Sequence, residues 1–196
     1  MKTKVTNIAA KGGSTKFKIT SDLGLRWQTS ASGARLEKEV SQTFDNLDTD
    51  KVLSCLRTDC PYELYWYEKT ANTEWSYNYS VSVSGGKRIV RITDLEVSMP
   101  VCNGYASDQY RVDASMVNIA KASAANAKQI VNEFKNSSVT EKLVAYKEMI
   151  CYLTDYNDEA MSDSYADGYG DPWQLIWVFD GDDSTQVVCC LLYTSD

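Results

Sequence analysis

The chain contains no histidine, and after Lys147 it contains neither lysine nor arginine. The first absence removes the imidazole that deprotonates a thiol or hydroxyl nucleophile, and it excludes a mixed Cys/His zinc site. The second leaves the C-terminal stretch strongly acidic. No apolar run approaches the length that spans a bilayer, so no membrane-spanning segment is expected. The six cysteines are Cys55, Cys60, Cys102, Cys151, Cys189 and Cys190, and none stands in C-x-x-C spacing. Buried thiols plus one reactive thiol fit that pattern better than a disulfide framework. A net charge of −7 would repel a phosphate backbone, so no nucleic-acid partner is expected.

What is present is the composition of a globular protein, with 43% hydrophobic and 24% charged residues in 196, enough for one or two domains. The start, Met1-Lys2-Thr3-Lys4, lacks the apolar segment of a signal peptide, while the Thr/Asn/Ser/Tyr-rich composition leans towards an exported protein. Residues 1 to about 32 alternate loosely around Val5, Ile8, Phe17 and Ile19, which predicts a hairpin or edge strand. A helix is expected from Gly33 to about Asn46, and a second from Asp50 to Thr58 with Asp48 or Thr49 as its cap, stopped by Pro61.

The strongest strand signal follows. Tyr77, Tyr79, Val81 and Val83 alternate with Asn78, Ser80, Ser82 and Ser84, and Gly85-Gly86 offers a tight turn. On the return, Val90 and Ile92 are in one phase and Leu95, Val97 and Met99 in the other, which predicts a bulge at Thr93-Asp94. Leu64 and Trp66 read as a preceding strand of the same meander. The aromatic residues suit a half-buried sheet face better than a carbohydrate platform.

Near Asp113 the period changes from two to 3.6. Val117, Ala120, Ala124, Ala127, Val131 and Phe134 form one stripe, and Leu143, Tyr146, Ile150 and Leu153 form another behind a Ser138/Glu141 capping box. Two antiparallel helices packed through these stripes as core are expected. From Thr154 to Asp171 the chain is acidic and rich in Gly, Tyr and Ser. Its carboxylates lack the alternate-residue spacing of an EF-hand, so a solvated loop is preferred to a calcium site. No metal or cofactor is called for.

Beyond it, Gln186-Val187-Val188 leads to Cys189 at what reads as the first turn of a helix. The unpaired N–H groups and positive dipole end of such a turn would acidify the thiol. Cys190-Leu191-Leu192-Tyr193-Thr194-Ser195-Asp196 matches the conceptual translation of a sequencing-library adapter, so 190–196 is expected to be a non-native tail.

Glu141-Lys142-Leu143, Ala145-Tyr146, Tyr152-Leu153-Thr154-Asp155-Tyr156-Asn157 and Pro172-Trp173-Gln174-Leu175-Ile176, leading to Val187-Val188-Cys189, resemble bacterial transglutaminase-like, papain-type cysteine domains of Firmicutes. The family continues past its nucleophile with Glu-Gly-Tyr, where this chain has Cys190-Leu191-Leu192. The resemblance implies that Cys189 is the nucleophile of a cysteine hydrolase or acyltransferase acting on protein amide or isopeptide bonds. Its histidine and aspartate would lie downstream of the cysteine, so residues 1–196 alone would be inactive, and its partner would be a protein or peptide substrate.

The expected fold is α+β. An N-terminal region, 1–112, carries the antiparallel meander and short helices, and 113–189 forms the helical front part of a truncated papain-like domain. Truncation would leave Trp173, Ile176, Trp177 and Phe179 exposed. The alternative function is a non-catalytic cell-surface binding or scaffolding module in which Cys189 is a small buried hydrophobe.

Overall fold

The computed structural model describes residues 1–156, 174–181 and 186–187. The fold is α+β. Helix α1 (Lys2–Lys11) leads to strands β1 (Gly13–Ser14), β2 (Lys16–Thr20) and β3 (Arg26–Thr29), then helices α2 (Ala34–Asp45) and α3 (Thr49–Asp59). The hairpin of β4 (Glu74–Ser84) and β5 (Lys87–Ser98) follows, then β6 (Ala106–Asp108) and β7 (Arg111–Val112). Helices α4 (Val117–Glu133) and α5 (Val139–Leu153) precede β8 (Asp155–Tyr156), α6 (Gln174–Val178) and β9 (Gln186–Val187).

The N-terminal segment contains the expected edge strand in β2, but a helix precedes it. Val5 and Ile8 belong to α1, where a three-residue spacing puts both on one buried face. Only Phe17 and Ile19 keep the period of two, in β2. Gly12 ends α1 at φ 68°, and a Cβ there would lie 2.8 Å from the Ala114 Cα, so the close crossing of the two backbones requires glycine.

The main sheet is built around β5. Strand β4 pairs with β5 from Glu74↔Ser98 to Ser84↔Lys87, with Gly85 and Gly86 both at positive φ in the turn. On its other side β5 is shared by β2, through Phe17↔Val97, and by β3, through Trp27↔Val90. The expected bulge is present. Ser76 faces Glu96 while Asn78 faces Thr93, and Asp94 takes a positive φ of 53°. Leu64 and Trp66 form no strand. They lie in a turn-rich segment after α3, fully buried, and the bridge Tyr67↔Val101 is its one ladder contact among the described residues.

Two apolar clusters hold these layers. On one face of the sheet Val90 and Ile92 pack with Ala31 and with Leu36 and Val40 of α2. Phe44 stacks on Tyr77 with ring centroids 4.1 Å apart, and the Trp27 indole donates to Glu39 Oε1 at 2.7 Å. The aromatic residues are thus partly covered by a helix, as a half-buried sheet face requires. The second cluster joins Val5, Leu56, Leu64, Trp66, Val97, Met99, Val112, Val117, Ala120 and Ile176, so one core crosses residue 112.

Both C-terminal helices form, with Ser138 and Glu141 closing the expected capping box (Ser138 N–H to Glu141 Oε2, 2.8 Å). Their expected packing does not. Helix α4 buries Val117, Ala120 and Ser123 and then runs outward with Val131 exposed, while α5 has no buried residue. Leu143 is 65% exposed, and α5 meets α4 through the edge-on pair Phe134–Tyr146, ring centroids 6.0 Å apart. Of the α5 stripe, Leu143 is exposed and Tyr146, Ile150 and Leu153 are only half-buried, so it is not core.

Candidate functional site

Cys189 lies outside the described residues, as do Trp173, the acidic segment 157–173 and the tail 190–196. What is described is the scaffold that approaches Cys189 in sequence. Strand β9, whose Val187 stands two residues before Cys189, pairs parallel with β8 through Asp155↔Gln186 and Tyr156↔Val187. Strand β8 directly follows α5, so the approach to Cys189 is tied to the C-terminal end of that helix.

Helix α6 is anchored on α4. The buried hydroxyl of Ser123 donates to the Ile176 carbonyl at 2.9 Å, and Asn126 Nδ2 donates to the Phe179 carbonyl at 2.9 Å. Tyr62 completes the link, its hydroxyl donating to Ser123 Oγ at 3.0 Å. Burial raises the Tyr62 phenol above its ordinary value, so it stays a donor through the neutral range. Ile176 is fully buried and Val178 nearly so, while Trp177 and Phe179 are half-buried. The expected exposed face at Ile176, Trp177 and Phe179 is therefore corrected: α4 and the α1–α3 core already cover it. Among the described residues, uncovered apolar side chains lie on α5 and on the outer part of β4 instead.

The Tyr62–Ser123–Ile176 chain was not legible beforehand. Its one sequence signal is a serine three residues after Ala120, beside an apolar stripe of valine, alanine and phenylalanine.

Four thiols fall among the described residues. Cys60 and Cys102 are buried, and burial pushes the Cys60 thiol up, away from the reactive thiolate. Cys55 and Cys151 are exposed on helices, against the expectation of a single accessible thiol. Burial also drives the Tyr65 phenol to about 12, and its hydroxyl donates to the Ala9 carbonyl at 3.1 Å, a structural role.

A shallow cleft of about 540 Å³ lies on the other face of the sheet, lined by Asp22, Arg26, Ser80, Ser82, Ile89 and Arg91. It holds no thiol. Asp22 is paired there with Arg91, whose guanidinium hydrogen bond, helped by the Gly24 N–H, pulls the carboxyl down to about 2. No group of three or more metal-ligating side chains occurs among the described residues, and none of their helices is long and apolar enough to cross a membrane.

Comparison with protein-family models, with curated proteins and with solved structures finds no match.

Proposed function

We propose that this chain carries the nucleophile-bearing part of a transglutaminase-like cysteine hydrolase or acyltransferase, with Cys189 as the nucleophile. The supporting observation is the parallel pairing of β9 with β8, which ties the run into Cys189 to the end of α5. The anchoring of α6 to α4 through Ser123 gives that run a fixed base. Such chemistry needs a positioned thiol more than a preformed ligand pocket.

In this reading the Cys189 sulfur attacks the carbonyl carbon of a protein amide or isopeptide. The C–N bond breaks and the amine leaves with a proton, giving a thioester. Water then releases an acid, or a second amine forms a new amide. The proton must be carried by an imidazole, and residues 1–196 contain none, so the histidine would come from outside them; the resemblance places its orienting carboxylate there too.

The test uses the 196-residue chain and the same chain joined to the sequence that follows Cys189 in its gene. Each is incubated with a glutamine-containing peptide and an amine probe. The expected result is no turnover by the first and Cys189-dependent turnover by the second, abolished by Cys189→Ala. Turnover by residues 1–196, or activity that survives Cys189→Ala, would overturn the assignment. The binding-module alternative is favoured by one feature, the outer edge of β4 that no described strand covers, and predicts no turnover in either form.

A further inference from the structure

We propose that two copies of this chain associate through β4, edge to edge, about a two-fold axis passing beside Val81. Among the described residues β4 pairs only with β5, so its outer row of backbone N–H and C=O groups has no strand beside it. Natural edges are protected by lysine, proline, shortness or bulges. Here the stretch from Trp75 to Gly86 holds no charge and no proline, and the one irregularity of the ladder falls between Ser76 and Asn78. The regular segment is Asn78–Ser84, and its midpoint is Val81.

A two-fold at that midpoint is self-complementary. Antiparallel pairing sets Val81 opposite Val81, Ser80 opposite Ser82, Tyr79 opposite Val83 and Asn78 opposite Ser84, so every apolar side chain meets an apolar one on the same face. A shift of one residue would bring serine or asparagine against valine or tyrosine throughout. The residues to be covered are the exposed ones: Tyr79 at 39%, Val81 at 42% and Val83 at 71%. They lie on the face that carries α2, beyond the part that α2 covers.

In this register Lys87, which faces Ser84 across the hairpin, is level with Asn78 of the other copy, four residues from Glu74. The paired edge is uncharged from Trp75 to Gly86, so charge does not oppose the association.

Sedimentation velocity of the full chain under reducing conditions, from micromolar to near-millimolar concentration, tests the proposal. A concentration-dependent dimer is expected, with Val81→Lys weakening it at least tenfold while far-ultraviolet circular dichroism is unchanged. Hydrogen exchange should slow with concentration at the outward amides of Asn78–Ser84. A wild-type chain that stays monomeric overturns the proposal. So does a dimer that survives Val81→Lys, which would point to another surface such as α5. Because the readout is assembly rather than turnover, its outcome is independent of the role of Cys189.

Discussion

The buried Ser123 hydroxyl bridges Tyr62, which donates to it at 3.0 Å, and the Ile176 carbonyl, to which it donates at 2.9 Å. One side chain thus links the segment after α3, the middle of α4 and α6. Its removal leaves a buried carbonyl without this donor. Ser123→Ala is expected to cost about 1–3 kcal/mol, measured as a lower urea midpoint at unchanged slope. Hydrogen exchange at 174–181 should quicken more than exchange in β4 and β5.

Ile92 and Leu143 make a paired test of where the core ends. Ile92 is fully buried between the sheet and α2, whereas Leu143 is largely exposed on α5. Ile92→Ala should cost about 2–5 kcal/mol, and Leu143→Ala should stay within about 0.5 kcal/mol of wild type. A large loss from Leu143→Ala would show that α5 is covered in solution.

Helix α5 depends on local terms because it buries no residue. The capping box at Ser138 is the strongest of these, and Ser138→Ala should cost about 1 kcal/mol of helix stability. Local hydrogen exchange in 139–153 should rise first, with little change in the global unfolding midpoint.

Acid should unload the surface ion pairs in a defined window. The Asp22 carboxyl is drawn from 3.8 to about 2 by the Arg91 guanidinium and the Gly24 N–H, and Asp94 is lowered by Lys18. A depressed folded-state value means that the contribution is fully present above the unfolded carboxylate value and is lost as pH falls through the folded one. Below about pH 4, stability should therefore decline with a component that Asp22→Asn removes. In carbon-detected NMR, Arg91→Ala should return the Asp22 midpoint towards the ordinary carboxylate range.

Much of the fold was legible because its signals are local. The alternation from Tyr77 to Val83 specifies a strand, Gly85-Gly86 specifies its turn, and the phase change after Ile92 specifies the bulge at Asp94. Asp48 caps α3 by accepting from the Lys51 N–H at 2.9 Å, and Ser138 with Glu141 caps α5. At the N-terminus only the edge strand β2 was legible, for a physical reason. Val5 and Ile8 are three apart, a spacing that suits a helix, and pooling them with Phe17 and Ile19 merged two elements of different period. Leu64 and Trp66 show the converse error, since two buried residues at strand spacing also fit a turn that points both into the core.

By itself the sequence determined the backbone periods, the caps, the turn, the acidic balance and the absence of any imidazole, since each depends on neighbouring residues or on composition alone. Which apolar stripe becomes core was decided only by the tertiary structure. The stripes of α4 and α5 look alike on paper, yet Val117 and Ala120 are buried against α1 and the segment after α3, while Leu143 meets no such surface. Burial is a property of two surfaces, and periodicity describes only one of them.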